Sequence, residues 1–319
     1  MFTYLDLIQM FYSLPSTLLL IIFAILLTNE MLIKKNPIFD NKFYPFILYK
    51  VYCDLLTELS TLFCDNAARY NIFGDFYKNN DPLAIYYFLV AGLTYTITFE
   101  ISFIISLNRF IAVVYPLLMN YWFSKSRIKV WIFVTMVIGL FCGISFVYFN
   151  PYYNDLKFGS GFILAFRSKS TPYYSIYYTF LVIFPLAVAS TVLNIITIKK
   201  ITSEYRKSHN TTYNNKLNDL PFIVYSFLSF VCFLLFGLQN MIRAVNYLTI
   251  NDEILNNFCD IAIRWTQDAQ IFGLFYAILF LCKPLKNLIL FRKKAAVAAS
   301  SNAVQVTIVN RSKSRSTRH

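Results

Sequence analysis

Seven stretches of mostly apolar residues dominate this chain, at positions 12–33, 43–64, 83–107, 129–149, 174–198, 221–248 and 259–282. Each is about 20 residues or slightly longer. A helix of that length just crosses a hydrocarbon core about 30 Å thick while satisfying its own backbone hydrogen bonds. Composition agrees: charged residues make up only 14% of the chain, against about 25% in a soluble domain. The expected fold is an all-α membrane protein, a seven-transmembrane helix bundle. The first run has no basic flank before it and no small-residue cleavage site after it, so it reads as a retained span.

Lys and Arg set the orientation. One side holds residues 34–42, 108–128, 199–220 and the C-terminal tail, and carries 20 of them. The other holds 1–11, 65–82, 150–173 and 249–258, and carries five. The basic side is expected to be cytoplasmic, which puts the N-terminus outside and the C-terminus inside. A short inner-surface helix is expected at 284–294 ("LILFRKK" closes it), followed by a disordered, serine-rich basic tail at 295–319 that suits anionic lipid or phosphorylation. Both N-x-[ST] sequons, at Asn210 and Asn310, then face the cytoplasm and escape glycosylation.

The same reading excludes several classes. The net charge of +13 comes from loops at one membrane face and does not call for nucleic acid. Six cysteines show no C-x-x-C spacing, so no zinc site is expected. His209 and His319 are the chain's two histidines, too few for the clusters of metal-dependent membrane oxygenases. No enzyme activity and no cofactor is expected. A transporter or ligand-gated channel is the alternative function. Transporters favour repeats and Gly/Pro-broken helices, whereas this chain has eight glycines and no visible repeat.

The motif "LNRFIAVVYPL" ends the third span. It resembles the rhodopsin-like G-protein-coupled receptor motif in which an acidic residue, Arg and an aromatic precede an Ala-Val…Pro-Leu loop; Arg109, Ala112, Val113, Pro116 and Leu117 match it. Asp54 in the second span, Trp131 in the fourth, Pro185 in the fifth and an altered Lys283-Pro284…Asn287 segment agree. "SLNR", "FP" in the fifth span, "LNIITIKKI" and the abundant Phe and Tyr resemble, more narrowly, nematode serpentine chemoreceptors of the class gamma (Srg-type) superfamily, over residues 10–294. The resemblance implies a small-molecule ligand bound in the outer half of the bundle, a heterotrimeric G protein at the inner face, and a multi-pass place in the plasma membrane, with sensory neuron cilia as a candidate location. It assigns Asp54, Asn108, Arg109 and Pro116 to coupling and activation. Retinal is not implied, because Lys283 stands at the inner end of the seventh span.

Departures from the pattern are informative. Asn108 replaces the acidic residue, so the usual Arg–carboxylate restraint is missing. The usual outer disulfide has no cysteines to form it; Cys64 and Cys259, near the outer ends of neighbouring spans, are candidates for a substitute bridge, the alternative being two free thiols. The sixth span lacks the usual tryptophan and mid-helix proline.

Ionisable residues inside spans must face protein or water. Lys50, Asp54 and Glu58 recur every four residues and share one helix face. Two readings fit: an ion or protonation site centred on Asp54, or an internal Lys50–Asp54 pair. Glu100 suits either. Nearer the outside lie Arg243 and the face Asp260, Arg264, Asp268. With Gln239, Asn240 and Gln267 they suit a ligand bearing a carboxylate or another acidic oxygen, or else the aspartates neutralise Arg264 in a structural network. Tyr95, Phe99, Tyr177 and Tyr178 are candidates for the same ligand pocket, each with packing as its alternative.

Overall fold

The structure is a computed structural model and describes residues 4–155, 161–207, 220–250 and 252–290. The tail, both sequons, His209 and His319, most of the loop after the fifth span and residues 291–294 of the expected inner helix lie outside the described residues.

The apolar runs form helices, several beginning where proline pre-sets the first turn. α1 is Tyr4–Thr28, prolonged by a π-turn at Asn29–Ile33. α2 is Tyr44–Ser60, with Pro45 in its first turn, and continues through a π-turn at Thr61–Asn66 and a last helical turn, Ala67–Arg69. α3 is Asp81–Val114 and α4 is Lys125–Val147, the latter N-capped by Ser124. α5 joins Thr171–Tyr178, a π-turn at Thr179–Ile183 and Phe184–Lys207. α6 is Leu220–Leu248. α7 joins Glu253–Asp268, capped by Asp252, a π-turn at Ala269–Gly273 and Leu274–Leu281. After an extended Cys282, α8 (Lys283–Ile289) turns away by 103°.

Five of these helices are long and apolar enough to cross a membrane alone, and Phe258–Leu281 makes a sixth when counted with α8. α2 is the seventh member, less apolar because Lys50, Asp54 and Glu58 lie along it; all three are buried. α3 is central and packs on α2, α4, α5 and α6. An inner core of Phe23, Phe46, Ile101, Ile105 and Phe275 joins α1, α2, α3 and α7. The helices run past the expected spans, notably α3 by seven residues beyond 107.

Glycine decides the closest contact in the bundle. Gly139 and Gly143, four apart on α4, face α3. A Cβ on Gly143 would stand 2.5 Å from the Leu89 carbonyl oxygen, and one on Gly139 would stand 2.8 Å from that of Leu93. Gly92 answers from α3, its Cβ position 2.9 Å from the Cα of Gly143. This is small-xxx-small packing, in which the absent side chains let backbones touch.

Among the described residues the departure from helix is a hairpin over the end of the bundle where α4 leads into α5. β1 (Pro151–Asp155) pairs antiparallel with β2 (Phe162–Phe166), Tyr153 opposite Leu164. Asn150, in the left-handed region at φ 49°, turns the chain out of α4 into β1. Tyr153 donates its hydroxyl to the Cys64 carbonyl at 2.8 Å, and Tyr77 donates to the Phe63 carbonyl at 2.6 Å. Their rings pack with Ala67, Ala68, Ala84 and Phe162. Arg167 reaches Asp81 at 2.6 Å and Lys78 reaches Asp155 at 3.0 Å, tying hairpin to bundle from the rim.

Two outcomes are expected. Gly143→Val, which drives a side chain into a backbone carbonyl that cannot move aside, abolishes folded receptor at the cell surface, and Gly143→Ala costs about 1–3 kcal/mol by overpacking, measured as thermal stability in detergent. Burial holds the Tyr77 and Tyr153 phenols above their ordinary range. Their share of stability is therefore fully present below about pH 10 and falls as pH rises above it. Tyr153→Phe removes about 1 kcal/mol and that part of the alkaline decline.

Candidate functional site

Beneath the hairpin lies a cavity of about 420 Å³, within the size range of small-ligand sites. α3 supplies Tyr87 and Tyr95, α6 supplies Asn240 and Arg243, and α7 supplies Asp260, Arg264 and Gln267. The roof is strand β2 with the outer end of α2, where Asp65 and Arg69 face in. One wall is aromatic: Phe88 and Phe166 stack at 4.1 Å between centroids, with Phe146 beside them. Tyr178 and Phe236 close the inner side, and the Tyr178 hydroxyl shares a 2.8 Å hydrogen bond with Thr96. At the mouth, Arg243 and Asp260 are ion-paired at 3.1 Å.

The sequence-derived candidates separate into two groups. Tyr95, Arg243 and Arg264 line the cavity, together with Tyr178, Asn240, Asp260 and Gln267. Four do not. Phe99 is fully buried one turn deeper than Tyr95, edge-on to Phe233 at 4.6 Å. Gln239, beside Asn240 but turned about 100° round the helix, donates to the Cys259 carbonyl at 2.9 Å and locks α6 to α7. Tyr177, rotated likewise from Tyr178, points outward and is 64% exposed. Asp268, one turn below Arg264, accepts from Gln9 at 2.6 Å and from the Tyr12 hydroxyl, because α1 packs there. The Cys64–Cys259 bridge is not formed: both thiols are free, as are the other four. Cys64 lies beside Tyr77 and Tyr153 under the hairpin, whereas Cys259 faces Gln239 and Arg243 of α6.

Midway through the bundle, Lys50 and Asp54 are paired at 2.5 Å with side chains only 4% and 5% exposed. An ammonium thus occupies the carboxylate that an ion site at Asp54 needs. Glu58 and Glu100 are buried nearby, each with Oε2 unpartnered among the described residues. No group of three or more metal-ligating side chains occurs among the described residues.

At the inner end Asn108 and Arg109 are buried, 1% and 6% exposed. The Arg109 guanidinium lies over the ring of Phe43, the residue that leads into α2, 4.8 Å from its centroid. Pro116 opens the 3₁₀ turn Pro116–Leu118 that follows α3. Lys125 bridges to Asp40 at 2.9 Å, and Lys42 donates to Asn120, holding the first two inner loops together.

The sequence model of the serpentine type 7TM GPCR chemoreceptor Srx family matches residues 23–266, from the middle of α1 to the outer half of α7. The chain belongs to the Srx family. No curated protein matches it. An Srx receptor is a chemosensory seven-helix receptor, and the helical bundle described above is the fold of such a molecule.

Among the cavity residues that sequence reasoning misses in this Srx receptor are the polar side chains of Asp65, Arg69 and Tyr87. Asp65 and Arg69 were assigned to a loop because the second apolar run fades at Cys64, yet the helix continues to Arg69. Their four-residue spacing was the available signal.

The Lys50–Asp54 pair makes a direct prediction. Asp54→Ala leaves a buried ammonium unpaired and costs about 3–5 kcal/mol, whereas Lys50→Met with Asp54→Leu together costs far less. A double-mutant cycle of Lys50→Met, Asp54→Leu and the two together on detergent-solubilised receptor reads the difference; single losses that simply add in the double variant would show that the pair is not coupled.

Proposed function

We propose that this Srx receptor binds its small-molecule cue in the cavity under the hairpin and passes the signal to a heterotrimeric G protein at the inner face around Arg109. The observation that carries the reading is the cavity itself: a partly open cleft, aromatic on one side, polar on the other, and bounded by α3, α6 and α7 at their ends under the hairpin. A ligand that binds one arrangement of these helices more tightly than another shifts a two-state equilibrium, and the inner ends report the shift. The proposal includes an outside N-terminus and a cytoplasmic C-terminus, supported by the 20-to-5 division of Lys and Arg. It places the chain in the plasma membrane, in sensory cilia where the receptor is expressed for chemosensation. Membership of the wider class gamma (Srg-type) superfamily rests on "SLNR", "FP" and "LNIITIKKI".

At the inner face Asn108 offers no negative charge to Arg109, and the face of Phe43 holds the guanidinium instead. A desolvated cation–π contact contributes about 0.5–2 kcal/mol, equivalent to roughly a 2- to 30-fold bias between two states.

In cells with a cAMP or calcium readout, Phe43→Leu is expected to raise ligand-independent signalling and Asn108→Asp to lower it, each at unchanged surface expression. A basal signal unmoved by both would reject this account of Arg109. For the cavity, an activating compound found by screening loses its effect in Tyr95→Ala; a full response there places the cue elsewhere. An N-terminal tag stained on intact cells tests the orientation.

A further inference from the structure

The charged residues lining the cavity are unequally paired. Among the described lining residues three are arginines, Arg69, Arg243 and Arg264, and two are aspartates, Asp65 and Asp260. Arginine stays protonated in proteins, and Asp268, one turn below Arg264, faces that residue electrostatically from outside the lining. Arg243 is neutralised by Asp260 at the mouth. Arg69 is not: its side chain makes no hydrogen bond or ion pair among the described residues, and its Nε is buried without a partner. Asp65, one helical turn earlier, forms no ion pair with it. A guanidinium held this way has lost water at one donor and gained nothing in exchange, which is unfavourable until an acceptor arrives.

The hairpin packs on the backbone of the turn that carries Arg69. Gly161 precedes β2, and a Cβ at that position would come within 2.6 Å of the Arg69 carbonyl carbon. The strand thus lies directly on the backbone of this last turn of α2. The rest of the wall, with Phe88, Phe146, Phe166, Tyr95 and Ile263, offers apolar and aromatic surface. A complementary molecule has one anionic end and an apolar body small enough for about 420 Å³.

We infer that Arg69 is the anchoring residue of the cavity and that the cue is a small carboxylic acid with an aliphatic or aromatic body. The planar fork of a guanidinium matches a carboxylate in a two-point hydrogen bond, and the acid supplies the acceptor that the buried Arg69 Nε lacks. This inference rests on the reading of the cavity as the ligand site and adds the ligand's chemistry to it.

The test uses purified full-length receptor in detergent, with thermal unfolding as readout. The probes are straight-chain acids from hexanoic to dodecanoic, their phenyl-substituted counterparts, and the primary amide of each. One or more acids are expected to stabilise the wild type, with the matching amide at least about tenfold weaker in apparent affinity. Arg69→Gln is expected to remove the preference for acid over amide, and Arg69→Lys to keep part of it. Both variants should unfold, without ligand, near the wild-type temperature. Asp65→Asn, which deletes a neighbouring negative charge, is expected to tighten acid binding. Acids and amides that stabilise equally, an acid preference untouched in Arg69→Gln, or no stabilisation by any acid would overturn the inference. Amides that bind and are lost in Tyr95→Ala would refute the acid while leaving the cavity as the ligand site. Binding insensitive to both Arg69→Gln and Tyr95→Ala would remove the cavity reading as well.

Discussion

The buried charges of α2 determine how the bundle is assembled. Lys50, Asp54 and Glu58 stand where hydrocarbon cannot receive them, so the helix has one admissible rotation, with that stripe inward. α1, α3 and α7 then close round it and continue its polar surface. Thr57 donates to Thr94 of α3 at 2.6 Å, Gln267 of α7 donates to Thr61 at 3.0 Å, and Ser16 of α1 meets the Tyr276 hydroxyl of α7 at 2.9 Å. Outside this track the contacts are apolar, and the lipid-facing sides of α4 and α5 expose Phe133, Phe141, Leu181 and Phe184. The pair organises the interior even if it adds little net stability of its own.

The same stripe reaches the ligand cavity. Asp65, within the π-turn at Thr61–Asn66, and Arg69 beyond it follow Lys50, Asp54 and Glu58 along α2 and line the cavity. This explains what could be read from sequence and what could not. Seven spans and the inward face of α2 follow from hydropathy and four-residue spacing. A π-turn has no such signature, and hydropathy falls where a helix leaves the membrane core even when the helix itself continues. Arg69 was therefore taken for a loop residue. Tyr177 and Gln239 failed for a related reason: adjacent residues on a helix differ by about 100°, and in so aromatic a chain nothing local says which neighbour faces in.

The outer end shows a substitution of means. Where rhodopsin-like receptors tie the second outer loop to the third span with a disulfide, six free thiols leave this chain to do so otherwise. Two buried tyrosines donate to carbonyls at the end of α2, and rim ion pairs align the hairpin above them. Backbone carbonyls exposed by the π-turn geometry are natural acceptors for these phenols. The sequence held the tyrosines but not their partners, since a carbonyl acceptor has no residue identity to read.

α2 finally connects the two ends of the molecule. Phe43, at its inner start, seats Arg109, and Arg69, at its outer end, faces the cavity. About 26 residues at 1.5 Å each separate them by roughly 40 Å, most of it buried and clamped by the charged pair. A rod so held transmits translation or rotation more readily than bending, because bending would break the polar contacts along its length. On the proposed reading, a ligand that drew α2 toward it at Arg69 would act on the ring that faces Arg109. The coupling needs no proline pivot in α6, which agrees with the absence of one from the middle of that helix.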